Sequence, residues 1–267
     1  MPLDFARRLT GRRRSTAANQ QLGLALAFVA GAINAGGFLA VRQYTSHMTG
    51  IVSAMADDLA LGNPLLMLAG LGALLAFLAG AATSAVMVNF ARRRRLDSEY
   101  AGPLLLEAVL LLCFGLLGAR LALVHGLFVP LTVLLLCFIM GLQNAVISKL
   151  SRLEIRTTHI TGIVTDIGIE LGKLLYWNGR SPVAGRAALD ADPDPLPGPG
   201  RVVADRARLR LLCGLATAFF AGGLAGALGF KHVGYVSTVP LALVLVLLAG
   251  VPAVDDMLAW LRRAVRR

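Results

Sequence analysis

Six apolar runs separated by short arginine-rich stretches constrain this chain more than any other feature in it. They fall at about 21–41, 65–90, 103–124, 127–147, 209–229 and 233–250, and roughly 20 apolar residues make one helical bilayer crossing. Composition agrees: 57% of residues are hydrophobic and only 15% charged, against roughly 25% charged in an average soluble domain. A soluble enzyme, a secreted disulfide scaffold and a disordered chain are all excluded on this balance. The expected fold class is all-α, a polytopic membrane protein of six transmembrane helices.

The charges then orient the spans. With six crossings, 23 of the 26 Lys and Arg fall on one side, leaving only Arg42, Arg120 and Lys231 on the other. Basic residues accumulate in cytoplasmic loops, so both termini are expected in the cytoplasm. The net charge of +11 could instead serve nucleic acid, but only 6% of residues are aromatic and the arginines flank apolar runs. The lipid bilayer is the expected partner, and nucleic acid is not. Cys113, Cys137 and Cys213 sit inside apolar runs without CxxC spacing and read as small core residues.

Four regions follow from this. Residues 1–20 form a basic cytoplasmic tail, not a cleavable leader, and 251–267 form a second basic tail. Residues 21–124 and 125–250 are two halves of three spans each. The second half contains a cytoplasmic linker at 180–208 that carries five prolines and cannot sustain a helix.

The halves resemble each other. Gly31-Ala32-Ile33-Asn34-Ala35 is matched 110 residues later by Gly141-Leu142-Gln143-Asn144-Ala145. The octet 46–53, Ser-His-Met-Thr-Gly-Ile-Val-Ser, is matched 112 residues later by 158–165, Thr-His-Ile-Thr-Gly-Ile-Val-Thr. Five positions are identical and two more exchange serine for threonine. An odd number of spans per half makes this an inverted repeat, a build used by many secondary transporters. After each T-G pair comes an apolar stretch too short to cross, either re-entrant or lying in the interface. Thr49 and Thr161 are its expected N-caps.

Acidic residues follow in register, Asp58 corresponding to Glu170, with Asp166 added in the second half. The expected solute or ion site therefore holds Asn34, Thr49, Gly50, Asp58, Asn144, Thr161, Gly162, Asp166 and Glu170 near the midplane. Competing readings place Asp58 in a solvated outer interface and Asp166 with Glu170 on the wet face of a cytoplasmic helix. Glu107, four residues into the third run after Pro103, either snorkels to the interface or takes part in proton coupling. Ala218, Gly222 and Gly226 make a small-residue face for packing within the chain or in a homo-oligomer. No tight ligand cluster calls for a metal, no cofactor is expected, and G-x-S-x-G, H-E-x-x-H and Walker signatures are missing, so the chain does not read as an enzyme.

The chain resembles the YoaK-like family of bacterial inner-membrane proteins, a domain of unknown function. The likeness rests on Gly31 to Gly37 followed by Thr49-Gly50, and on Thr157-Thr158-His159-Ile160-Thr161-Gly162 running into Asp166-Ile167-Gly168. It extends over Leu104 to Leu112 with Glu107, and departs at Ile51, where the family commonly carries asparagine after the first T-G. The resemblance implies a multi-pass protein of the bacterial inner membrane and no particular activity. From the residues, the expected function is a secondary transporter or channel for a small polar or ionic solute. The alternative is a non-transporting membrane scaffold acting through helix contacts.

Overall fold

A computed structural model of the chain describes residues 16–94, 96, 98–121, 125–150, 158–176 and 202–265. Among these the regular structure is entirely helical. In chain order the helices are α1 (Thr16–Val41), α2 (Met48–Ala60), α3 (Pro64–Arg93), α4 (Ala101–Leu121), α5 (His125–Leu150), α6 (Ile160–Leu175), α7 (Arg206–Val233) and α8 (Thr238–Val265), with a 3₁₀ turn at Gly234–Ser237 before α8.

The local chemistry explains the boundaries. Pro64 opens α3, where its missing N–H costs no hydrogen bond. Asp205 caps α7, its carboxylate accepting the N–H groups of Ala207 and Arg208. Gly234 then ends α7 with a φ of 68°, a conformation that a Cβ would resist. Helix α8 runs on to Val265, so residues 251–265, expected as tail, continue the last helix. Of the expected 180–208 linker, 180–201 lies outside the described residues, and 206–208 form the first turn of α7.

Four helical stretches are long and apolar enough to cross a membrane: Ala17–Val41, Pro64–Arg93, Val129–Lys149 and Arg206–Gly250. The last is 45 residues long and comprises two helices, α7 and the start of α8, divided at the 3₁₀ turn. Helix α4 adds a shorter apolar stretch, Ala101–Leu116. Large apolar side chains stand on the outer faces, with Leu65 at 80%, Phe220 at 72% and Leu116 at 72% exposure. Such a surface suits hydrocarbon better than water.

Glycine notches set the packing. A Cβ on Gly31 of α1 would overlap the Phe219 carbonyl of α7, and one on Gly222 of α7 would overlap the Phe28 carbonyl of α1. The same exchange joins α3 to α5: Gly80 meets the Phe138 carbonyl, and Gly141 meets the Phe77 carbonyl. Backbones approach this closely only where side chains are absent. On either side of the notches residue numbers rise together, Leu24 beside Gly214 and Gly36 beside Phe230 on α1 and α7, Gly72 beside Leu134 and Asn89 beside Lys149 on α3 and α5, so each pair runs parallel. Across α1 and α5 they run oppositely, with Leu26 beside Gln143 and Gly37 beside Leu136. Helix α4 crosses α8 antiparallel, Gly115 meeting Thr238 and Gly118 meeting Tyr235.

Gly226 also faces α1, at the backbone of Ala32. The Gly222 and Gly226 face therefore packs inside the chain.

At one end of the bundle polar side chains tie α3, α4 and α5 together. Arg92 donates to Glu99 at 2.9 Å and to the Tyr100 hydroxyl at 2.8 Å. Tyr100 in turn donates to the Lys149 carbonyl, and Lys149 Nζ donates to Asn89 at 2.9 Å.

Candidate functional site

The paired motifs build two constellations, one at each short helix. After α1 the chain turns back and Ser46 Oγ donates to Asn34 Oδ1 at 2.8 Å. After α5, Thr158 Oγ1 donates to Asn144 Oδ1 at 3.1 Å. Asn34 lies seven residues before the end of α1, and Asn144 six before the end of α5. At 1.5 Å of rise per residue, each returning strand re-enters the bundle by about 10 Å. The short helices begin at that depth and run back toward the end from which the chain came. Met55 and Ile51 of α2 border Gly70 of α3, and Asn63 N–H donates to the Asp58 carbonyl where the two helices join.

The helix starts are alike in detail. His47 and His159 are the N-caps, with φ, ψ of −93°, 71° and −90°, 60°. Thr49 and Thr161, expected as caps, instead lie in the first turn, because each helix begins one residue before its threonine. Neither histidine side chain accepts a capping hydrogen bond. Each packs on the following glycine, His47 on Gly50 and His159 on Gly162. The first-turn N–H groups thus remain available beside Asn34 and Asn144, at the positive end of a helix dipole. Ile51 and Ile163, at matched positions, are both buried.

The acids divide. Glu170 is 2% exposed, which removes it from the wet face of an amphipathic helix. It accepts from Lys173 Nζ at 2.8 Å and from the Asp205 backbone N–H at 2.8 Å. The Lys173 ammonium first, and then that N–H, hold its carboxyl below the ordinary carboxylate range. Asp205 is lowered too, chiefly by the Arg208 N–H. Asp166 pairs with Arg208 at 3.0 Å. Asp166 and Glu170 thereby latch α6 to the start of α7, with Lys173 pairing Glu170 within α6. In the first half, Asn63 at the start of α3 makes no side-chain cap, and the Asp58 carboxylate has no hydrogen bond or ion pair among the described residues.

The two sets do not merge. No hydrogen bond or ion pair among the described residues joins Asn34, Thr49, Gly50 and Asp58 to Asn144, Thr161, Gly162, Asp166 and Glu170. Helix register puts the two asparagines about 13 Å apart along the bundle, measured from the level where Gln143 Nε2 donates to the Leu26 carbonyl. Among the described residues, no three His, Cys, Asp or Glu gather as a metal site would require.

Glu107 stands apart from both sets. It is 0% exposed, and neither carboxyl oxygen has a hydrogen-bond partner among the described residues. It does not snorkel. Six residues from the start of α4 its side chain lies among Leu104, Ala108 and Leu111 on the buried face, so there is no outward path to an interface.

Sequence reasoning missed Ser46 and Thr158 as partners of the asparagines, although both lie inside the matched octets. It also missed Phe-x-x-Gly, present at 28–31, 77–80, 138–141 and 219–222, the recurring spacing that marks all four glycine notches.

Fold and site together define a class: an all-helical chain of several apolar helices, compatible with a membrane protein, carrying paired polar constellations at two short helices. Residues 22–251 match the family described as Protein of unknown function (DUF1275), and the chain belongs to that family. No curated protein and no solved structure matches it.

Proposed function

We propose that the protein is a secondary transporter or channel for a small polar or ionic solute in the bacterial inner membrane. Its six long helices cross the bilayer with both termini cytoplasmic, as two inverted halves, α1–α4 and α5–α8. Helices α2 and α6 are the re-entrant elements. The observation that carries this reading is the matched pair of hydrogen bonds, Ser46–Asn34 and Thr158–Asn144, each setting a half-helix N-terminus back inside the bundle. Free N–H groups beside an asparagine amide at that depth suit an anion or a polar solute passing between the halves. The sequence carries no catalytic signature, and the reading needs no cofactor.

The test is membrane depth. Single cysteines at 49 and 161, in a background without Cys113, Cys137 and Cys213, are treated with an impermeant thiol reagent from either side. Protection of both, or reactivity that switches side with an imposed ion gradient, is the expected result. Free labelling of 49 from outside only and of 161 from inside only would place α2 and α6 at the surfaces. The scaffold reading would then replace transport.

A further inference from the structure

Three helices on one side of the bundle carry buried oxygens that meet no hydrogen-bond partner among the described residues. They are Ser84 Oγ on α3, both carboxyl oxygens of Glu107 on α4, and Gln143 Oε1 on α5. Register places all three at one level. Tyr100 meets Lys149 and Lys149 meets Asn89. From those anchors Glu107 lies seven residues inward, Gln143 six and Ser84 five, roughly 8–10 Å of helix rise in each case. The positions that match Gln143 and Ser84 in the other half are Ile33 and Gly226. The polar layer therefore belongs to one side only.

We propose that Glu107 is a proton-binding site, holding its carboxyl as the neutral acid in this arrangement of the helices. A carboxylate withdrawn from water without a partner costs far more than the neutral acid does. Gln143 Oε1 and the Glu107 carboxyl oxygens are acceptors that receive no hydrogen bond among the described residues, and an acid proton adds a donor to that layer beside the one the Ser84 hydroxyl carries. Among the described residues, no compensating cation reaches Glu107 from the elements packed on α4. On α3, Arg92 is engaged by Glu99 and Tyr100, and Arg93 is exposed at the helix end. On α5, Lys149 is engaged by Asn89 and Cys137 is buried. In the 3₁₀ turn Tyr235 packs on Gly118, eleven residues further along α4. On α8, Ala253 lines the same cleft as Pro103 at the start of α4, and the side chains described from Thr238 to there carry no charge.

Release breaks the acid O–H bond, leaves its electron pair on the carboxylate, and passes the proton to water once helix movement admits it. That this proton drives solute movement rests on the transport reading; the binding of the proton does not.

Infrared spectroscopy of the purified full chain in phospholipid vesicles tests it, comparing wild type with Glu107→Gln at neutral pH. The wild type is expected to show the carbonyl stretch of a protonated carboxyl, lost in the variant. That band should shift in D₂O buffer and convert to carboxylate bands as the pH is raised. Carboxylate bands for Glu107 at neutral pH would overturn the proposal. So would an acid band that neither exchanges nor titrates, which marks a sealed structural group. Glutamine matches the neutral acid in shape and should fold; if it does not, Glu107→Asp must move the band in frequency. The acid band together with one-sided surface labelling at 49 and 161 would keep the proton site and discard transport; the opposite pair of results would do the reverse.

Discussion

At the scale of single residues, the four notch glycines do the most to fix the helices. The atom opposing Gly31, Gly80, Gly141 or Gly222 is a backbone carbonyl in every case, which cannot rotate aside as a side chain would. Gly31→Ala or Gly222→Ala should therefore force α1 and α7 apart and cost about 1–3 kcal/mol, the usual range for overpacking. Gly168→Ala and Gly172→Ala on α6 have open space around them and should gain up to about 1 kcal/mol from helix propensity. Reversible unfolding of the purified protein in detergent reads both signs. The small-residue face at Ala218, Gly222 and Gly226 was legible from its spacing. Its partner was not, because four-residue periodicity states that something packs closely without stating what.

At the scale of elements, α2 and α6 share a backbone course and differ in how they are fastened. Helix α2 rests on α3 through Ile51 and Met55, whereas α6 is held by Glu170, Asp166 and the capped start of α7. Glu170 and Asp205 both sit below their ordinary range, so the folded state gives up those protons more readily than the unfolded chain. Their stabilisation is complete above the ordinary carboxylate pKa, about 4, and is lost as pH falls through the lowered values. Hydrogen exchange, taken relative to the intrinsic rate at each pH, should accordingly show the protection of α6 amides falling several-fold from neutral to acid pH, with the protection of α2 unchanged. Glu170→Gln should loosen α6 in the same way at neutral pH. The motif repeat made both short helices legible. The latch was hidden because Asp205 lies 35 residues beyond Glu170, across the proline-rich stretch.

At the scale of the whole molecule, the principal packings join one half of the chain to the other: α1 with α7, α3 with α5, and α4 with α8. Separate expression of 1–124 and 125–267 should leave each piece prone to degradation, while coexpression lets a tag on one retrieve the other from detergent. Recovery of a stable first half alone would contradict that arrangement. Apolar run length gave the order of the long helices, and the matched octets marked where the two short helices begin. The interlocking itself needed the carbonyl-to-glycine contacts, which join residues that no local pattern connects.

The α1–α7 contact also sets a schedule for biogenesis. About 190 residues separate Phe28 and Gly31 from Gly222 and Phe219. At about 5–20 residues per second, a ribosome needs roughly 10–40 s to supply the partner of the first helix. Through that interval the notch of α1 stands without the helix that fills it in the folded chain. A nascent chain arrested before residue 206 would display that notch as the surface on which an assembly factor can act.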